Sequence, residues 1–177
     1  MLEALITSKT RINLLLKFFL NSNTKAWLRS LETEFGESTN AIRLELNRLM
    51  NAGLLLAVNE GNKKVYMANT SHPLYHDIHN LLLKHIGLDK IIEKVTSKLG
   101  MISEVYLVGE LAKGKNSKVI DLWFVGEALD RDYLLNLVEK SEQMVNRKIR
   151  YIILKEKELP EFRTGKSKDE LLLVWKS

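Results

Sequence analysis

Apolar residues recur every three or four positions along the front of the chain, and small polar residues interrupt them. This spacing predicts a first helix that Ser8 caps and that residues 21–23 end. A second helix is predicted over residues 25–35, and Gly36 closes it in the left-handed conformation that suits glycine. A tight turn must follow, because the next apolar pattern begins only a few residues later.

The third predicted helix is amphipathic, and Ser38 or Thr39 caps it. Its apolar positions share one face, namely Ile42, Leu46, Leu49 and Met50. Polar side chains share another face, namely Asn40, Arg43, Asn47 and Asn51. After Gly53 two short runs favour β-strands, residues 54–58 and 64–68, and the polar loop between them indicates a hairpin.

A polar segment that ends at Pro73 separates two differently patterned halves. We therefore predict one domain over residues 1–72 and a second over residues 73–177. Helical periodicity and β-prone runs predict the elements of the second domain. These are helices over 74–86, 88–99 and 130–145, strands over 104–108, 119–125 and 149–154, and an edge strand or docking segment over 171–175. The predicted fold class is α+β, with a small α/β second domain.

Composition narrows the class of protein. The 177 residues are 45% hydrophobic and 28% charged, which is typical of a chain with a packed core and not of a disordered or fibrous one. No cysteine is present, so disulfides, thiolate metal ligands and cysteine nucleophiles are excluded, and a cytoplasmic location is expected. No apolar run approaches the roughly 18 residues of a membrane span, so no membrane insertion is expected. The net charge of +5 permits a polyanionic partner.

The order of three helices and a hairpin is what a winged helix-turn-helix requires, because its third helix must reach the floor of a DNA major groove. Residues 37–55, ESTNAIRLELNRLMNAGLL, closely resemble the recognition helix and exit turn of ArsR-like winged-helix regulators. The resemblance spans residues 9–70 and implies a DNA-binding domain. The candidate DNA-binding residues are Thr39, Asn40, Arg43 and Asn47 on the third helix and Lys63 and Lys64 at the hairpin tip. A three-helix bundle with a solvated polar face would show much the same periodicity.

Residues 107–125, LVGELAKGKNSKVIDLWFV, resemble the signature of the minimal nucleotidyltransferase-like family. In that family a strand ends in Gly-Ser and the next strand carries Asp-x-Asp. The resemblance implies that these two carboxylates and a third from a later strand hold two magnesium ions, which bind the nucleotide phosphates. Gly109 keeps the strand end and Asp121 keeps the second carboxylate.

Three positions depart from that pattern. Val119 replaces the first carboxylate, Glu110 replaces the serine, and residues 148–153 offer no acid. A lone Asp121 does not hold two divalent ions, and Glu110 places negative charge where a triphosphate would lie. We therefore expect a degenerate site without metal, cofactor or catalysis. Its positions are Gly109, Glu110, Lys113 and Asp121.

Other roles for these residues stay open. Asp121 could accept hydrogen bonds from the turn over residues 109–114. A lysine cluster in the same loop either is solvated or contacts phosphate, namely Lys113, Lys115 and Lys118. Three histidines have the spacing of metal ligands on a helix, namely His72, His76 and His79. Pro73 disfavours helical geometry at the residue before it, so this metal site is not expected.

The sequence predicts a DNA-binding transcriptional regulator whose third helix reads the major groove and whose second domain serves dimerisation, ligand sensing or partner binding. We expect no enzymatic activity. A homodimer on double-stranded DNA is expected, because paired half-sites increase affinity and specificity, and helix 74–86 is the candidate interface. A small molecule or a protein is a further candidate partner of the second domain. The alternative is an active metal-dependent nucleotidyltransferase with a DNA-binding N-terminal module and with Asp121 as its remaining metal ligand.

Overall fold

The computed structural model describes residues 2–98, 101–127 and 129–177. The chain divides into two compact units. Unit 1 comprises Met1–His85 with Gly114–Asn116, and unit 2 comprises Ile86–Lys113 with Ser117–Ser177. Both helices and sheets are present, so the predicted mixed α+β class is confirmed. Within the described residues, no helix has the length and apolar character that crossing a membrane requires.

In unit 1 a short 3-10 helix, Leu2–Ala4, precedes helix α1, Lys9–Leu15, which a π-helical segment, Leu16–Leu20, continues. The predicted cap is confirmed, because the Ser8 Oγ atom accepts a hydrogen bond from the Arg11 amide at 3.2 Å. The helix buries its apolar positions, and Phe18 and Phe19 are fully buried. The sequence spacing therefore identifies the helix but not the extent of its burial, because Asn13, Leu14, Lys17 and Phe18 are buried as well.

Two further helices follow in unit 1. Helix α2 spans Leu28–Phe35 and ends at Gly36, whose φ of 63° is left-handed as predicted. Helix α3 spans Thr39–Asn51. Its N-cap is Ser38 and not Thr39, since the Ser38 Oγ atom accepts a hydrogen bond from the Ala41 amide at 3.3 Å.

A three-stranded antiparallel sheet completes the front of unit 1, in the order β1-β3-β2. Its strands are β1, Ala26–Trp27, β2, Leu55–Glu60, and β3, Lys63–Ala68. The hairpin β2–β3 is confirmed. Strand β1 is missing from the sequence prediction, which assigns its residues to the second helix, because two residues carry no periodicity to detect.

Helix α4, Tyr75–Ile86, follows Pro73. The Tyr75 ring packs on Phe19 with a centroid separation of 5.9 Å. His79 Nδ1 lies 2.8 Å from the Phe19 carbonyl oxygen, so this histidine serves packing within unit 1.

Unit 2 is built on a four-stranded mixed sheet in the order β6-β5-β4-β7. Its elements are α5 (Leu88–Lys98), β4 (Met101–Val108), α6 (Gly109–Ala112), β5 (Val119–Glu127), α7 (Arg131–Val145), β6 (Lys148–Leu154), α8 (Leu159–Arg163) and β7 (Leu171–Lys176). Strands β5 and β6 are parallel and α7 connects them, whereas the other pairs are antiparallel. Strand β7 forms an edge of the sheet as predicted, and Leu99, the last residue of the predicted helix 88–99, lies outside the described residues.

One face of this sheet carries an apolar cluster. Its members are Tyr106, Val108, Trp123, Val125, Leu154 and Leu159. Helix α8 covers the cluster, and the Phe162 ring meets Trp123 edge-on at 5.7 Å. Because side chains alternate along a strand, Asp121 and Arg150 lie on the same face, near the start of β5 and β6. The fold thus brings two opposite charges to the end of the sheet face that carries the apolar cluster.

Candidate functional site

Gly109 follows the last residue of β4 and has a φ of 71°. A Cβ atom at this position would lie 2.6 Å from Asp121 Oδ2. The close approach arises because the antiparallel register pairs Val108 with Asp121. Glycine is therefore required here both for the backbone conformation and for the space that the carboxylate occupies. The structure brings together two of the four predicted nucleotide-site residues.

Arg150 on the neighbouring strand holds the Asp121 carboxylate. The parallel register pairs the two residues. Arg150 Nε donates to Oδ1 at 2.6 Å, and Nη2 donates to Oδ2 at 2.9 Å. The Asp121 side chain is only 18% exposed, whereas that of Arg150 is 71% exposed. Both hydrogen bonds of the Asp121 side chain thus come from Arg150 and not from the turn over residues 109–114.

The hydrogen bond from Arg150 to Asp121, with the attraction of the two charges, raises the pKa of Arg150 above its ordinary value. Arg150 is a site residue that the sequence motif alone does not reveal. Residues 148–153 lack an acid and contain two cations, Lys148 and Arg150. A signal did exist, since opposite charges at paired positions of neighbouring strands favour contact.

The other two predicted positions lie close to the same end of the sheet. Lys113 Nζ lies 2.7 Å from Glu170 Oε1. The hydrogen bond to Glu170 raises the pKa of Lys113, and the same bond lowers the pKa of Glu170 to about 2. Glu110 is exposed on α6 and acts on Lys113 through its charge. Lys113 is therefore held by acids, whereas the guanidinium of Arg150 extends into solvent.

The residues around Asp121 do not fit a pair of divalent ions. Such a pair needs several carboxylate oxygens, and both oxygens of Asp121 already accept hydrogen bonds from Arg150. Val119 supplies no oxygen at the first carboxylate position. In the parts of the chain that the structure describes, no three His, Cys, Asp or Glu side chains are grouped as metal ligands. A cation of the protein itself stands where the resemblance implies a third acid.

In unit 1, α3 exposes its polar face and buries its apolar one. The apolar side chains Ile42, Leu46 and Leu49 are at most 6% exposed. The side chains of Asn40, Arg43 and Asn47 are exposed, and Thr39 is half-buried. Arg43 Nη1 donates to Asn40 Oδ1 at 3.3 Å. The amphipathic pattern predicted for the third helix is confirmed.

A buried carboxylate fixes α3 to α1. The Glu45 side chain is 6% exposed. Arg11 Nε donates to its Oε2 at 2.8 Å and Arg48 Nη1 donates to its Oε1 at 2.8 Å, while Ser8 Oγ lies 3.3 Å from Oε1. Burial acts to raise the pKa of Glu45, but the hydrogen bonds and charges of the two arginines outweigh it and hold that pKa below its usual value. This network orients the helix whose polar face is exposed.

Lys63 and Lys64 begin β3, and both are exposed. Lys63 Nζ lies 4.2 Å from the centroid of the Trp27 ring. Lys64 Nζ lies 5.4 Å from the centroid of the Tyr66 ring. The two predicted phosphate contacts therefore lie against aromatic rings, which the sequence motif does not indicate.

No protein-family profile matches the sequence, and no curated protein is similar to it. Solved structures resemble parts of it. A Sulfolobus solfataricus protein provisionally assigned as a nucleotidyltransferase has a TM-score of 0.37 and 26% identity over 55% of this chain and 82% of that one. A toxin–antitoxin structure with AMP-PNP has a TM-score of 0.38 and 15% identity over 51% of this chain and 74% of that one. A protein of Pyrobaculum spherical virus has a TM-score of 0.29 and 15% identity over 78% of this chain and 70% of that one.

These neighbours correct two predictions. The prediction of a DNA-binding transcriptional regulator is contradicted, because the similar structures include a protein provisionally assigned as a nucleotidyltransferase and a toxin–antitoxin structure with AMP-PNP. The prediction that the protein is not an enzyme is also wrong, since one neighbour is assigned as a nucleotidyltransferase and another holds AMP-PNP. The physical reason is twofold. An exposed polar helix face shows which side meets solvent and not what it binds. The missing carboxylates exclude only a site in which several acids hold two metal ions.

Proposed function

We propose that the protein is a nucleotidyltransferase-like protein that binds a nucleoside triphosphate in unit 2, beside Gly109, Asp121 and Arg150. The observation that carries the proposal is an exposed guanidinium with a fixed orientation. Arginine has five N–H donors. Two of those of Arg150 point at Asp121, which leaves three for an incoming phosphate. The 71% exposure of the side chain leaves it accessible to a ligand of this size.

In this proposal each residue has a separate task. Arg150 contacts phosphate, because a guanidinium matches the geometry of phosphate oxygens with two parallel hydrogen bonds. Asp121 is a positioning residue, since it holds the guanidinium without contacting the ligand. Gly109 leaves the space that the carboxylate needs. An arginine oriented before the ligand arrives loses less conformational entropy on binding, which raises affinity. The charge that the triphosphate requires comes from Arg150.

Titration with AMP-PNP, followed by calorimetry in the presence of EDTA, tests this assignment. Saturable binding is expected from the unmodified protein. Arg150→Ala is expected to weaken binding by about tenfold or more, because the variant lacks the charged donors that contact phosphate. Asp121→Asn is expected to weaken binding less, since the cation stays but loses its anchor.

Arg131→Ala is the matched control, because Arg131 is an exposed arginine of unit 2 at the start of α7. Equal affinities of the Arg131 and Arg150 variants would contradict the proposed site. Binding that appears only with magnesium and disappears with EDTA would show that a metal ion, and not Arg150, makes the phosphate contact. In the same preparations, any transfer of label from the α-phosphate of ATP to DNA or protein is expected to fall in Arg150→Ala and not in Arg131→Ala.

We further propose that unit 1 is a winged helix-turn-helix that binds duplex DNA for this activity, with DNA binding assigned to residues 1–72 and nucleotide binding to residues 73–177. The support is the order of helices α1, α2 and α3 followed by the β2–β3 hairpin. The exposed amide and guanidinium side chains of α3 have the hydrogen-bonding groups that base edges require. Two copies of the chain on paired half-sites are expected, because one short helix contacts few base pairs.

Two substitutions separate base contacts from phosphate contacts. Arg43→Ala is expected to weaken binding to a preferred duplex by about 1–3 kcal/mol and to relax the preference at one base pair. Lys63→Ala is expected to weaken binding to every duplex and to reduce the salt dependence of affinity by about one counterion. Anisotropy titrations at several salt concentrations measure both effects. Affinities that are equal in all three proteins and independent of salt would contradict the proposal.

A further inference from the structure

A cavity of about 480 Å³ lies between the start of α2 and the hairpin of unit 1. Its lining combines two aromatic rings with three cations, namely Trp27, Tyr66, Arg29, Lys63 and Lys64. Within the described residues, no acidic side chain lines it. The volume falls in the range of pockets that hold small ligands. The cavity therefore suits a flat apolar group that carries negative charge.

The Trp27 ring is available and its backbone is fixed. The side chain is 36% exposed, and the strand pairing of Trp27 with Val65 holds its backbone. The Trp27 amide donates to Ser30 Oγ at 3.1 Å, and Ser30 Oγ donates to the Trp27 carbonyl oxygen at 2.7 Å. A rigid aromatic platform loses little conformational freedom when a ligand stacks on it.

The present contact of Lys63 with Trp27 is weaker than the contact that could replace it. A cation–π contact at an exposed site contributes a factor of about two to five in an equilibrium constant. Stacking of a nucleobase on an aromatic side chain contributes about five- to 150-fold. A base can therefore displace the Lys63 ammonium from the ring. The released cation, with Arg29 and Lys64, then lies close to the phosphates that flank the base.

We infer that this cavity binds an unpaired nucleotide of a single nucleic-acid strand, with the base stacked on Trp27 and its phosphates contacted by Arg29, Lys63 and Lys64. A base inside a duplex is stacked between its neighbours and does not offer its flat face to Trp27. The contact is tolerant of sequence, because every base has such a face. This site is separate from the polar face of α3, so it extends the proposed function of unit 1 to single strands.

The test uses the full chain and a labelled oligothymidylate of about ten nucleotides, with affinity measured by anisotropy. Trp27→Leu is expected to weaken binding about tenfold or more. Trp27→Phe keeps an aromatic ring and is expected to lose less affinity than Trp27→Leu. Arg29→Ala is expected to weaken binding about threefold or more, whereas Lys9→Ala, an exposed cation on α1, is the matched control and leaves it unchanged. Circular dichroism of each variant verifies that the fold is retained.

The inference is overturned if Trp27→Leu binds the oligonucleotide as tightly as the unmodified protein. It is also overturned if free thymidine monophosphate competes at a concentration below the Kd of the oligonucleotide, which would assign the cavity to a free nucleotide. A blunt duplex in parallel keeps the two proposals apart. Arg43→Ala is expected to weaken the duplex and spare the single strand, and Trp27→Leu is expected to weaken mainly the single strand.

Discussion

Gly109→Ala is expected to lower the free energy of unfolding of unit 2 by about 3 kcal/mol and to weaken AMP-PNP binding at least as much as Asp121→Asn does. An alanine with a φ of 71° carries a strain of about 1–3 kcal/mol. The new Cβ atom would also lie 2.6 Å from Asp121 Oδ2, so the carboxylate must move away from Arg150. Breaking the ion pair between Asp121, which is 18% exposed, and the exposed Arg150 adds a smaller loss to the strain. Urea unfolding measures the loss of stability, and calorimetry measures the loss of binding.

Gly165→Ala separates the two contributions. Gly165 also lies in unit 2 and has a φ of 79°, but nothing lies within 4 Å of its Cβ position. Its substitution is expected to cost only the backbone strain, about 1–2 kcal/mol, and to leave AMP-PNP binding unchanged. If the two variants lose the same stability and bind the nucleotide with equal affinity, the contact between Gly109 and Asp121 has no role in the site.

Glu45→Gln is expected to destabilise the protein by about 2 kcal/mol near neutral pH, because two charge-assisted hydrogen bonds are weakened. The Glu45 carboxylate is buried between two helices and receives hydrogen bonds from Arg11 and Arg48. A neutral amide keeps the shape of the side chain but leaves both guanidinium groups without their charge partner. Urea unfolding gives the size of the loss. Glu32→Gln, which removes an exposed carboxylate on α2, is the control and is expected to change stability little.

The effect of Glu45→Gln should depend on pH in one direction. The folded-state pKa of Glu45 lies below its unfolded value of 4.5, so the stabilisation is complete above that value. As the pH falls through the folded-state pKa, the carboxylate takes up a proton and the stabilisation is lost. The difference between the variant and the unmodified protein should therefore shrink in acid. A difference that stays constant down to that range would show that the charge of Glu45 contributes nothing.

The helices and the hairpin were predictable because each has a repeating signal. Apolar spacing identifies α3 and its buried face, and Ser8 and Gly36 mark helix ends through local hydrogen bonds that their residue types allow. Strand β1 was not predictable, since its two residues are defined only by pairing with β3. Local sequence predicts the helices and the hairpin, whereas contacts between segments that are distant in sequence become visible only in the folded structure.

The candidate site was likewise predictable only in part. The motif around Gly109 and Asp121 is continuous in sequence, and the strand-to-strand contact between them follows from a hairpin-like register. Arg150 lies 29 residues from Asp121 and reaches it only because α7 returns the chain to a parallel strand. The sequence motif therefore indicates the Asp121 carboxylate but not its partner Arg150. The cavity at Trp27 was missed for a similar reason, because its rings and cations come from β1, α2 and β3, which the pairing of β1 with β3 brings together.

Strand β1 is only two residues long, yet it joins the hairpin to the first turn of α2 through backbone hydrogen bonds. This pairing ties the start of α2 to the hairpin at Ala26 and Trp27. The pairing also sets the spacing between the Trp27 ring and the lysines of β3 in the protein without a nucleic acid. A nucleic-acid strand that contacts both the Trp27 ring and these lysines must match that spacing. The cavity would therefore select strands by their backbone geometry and not by the identity of the base.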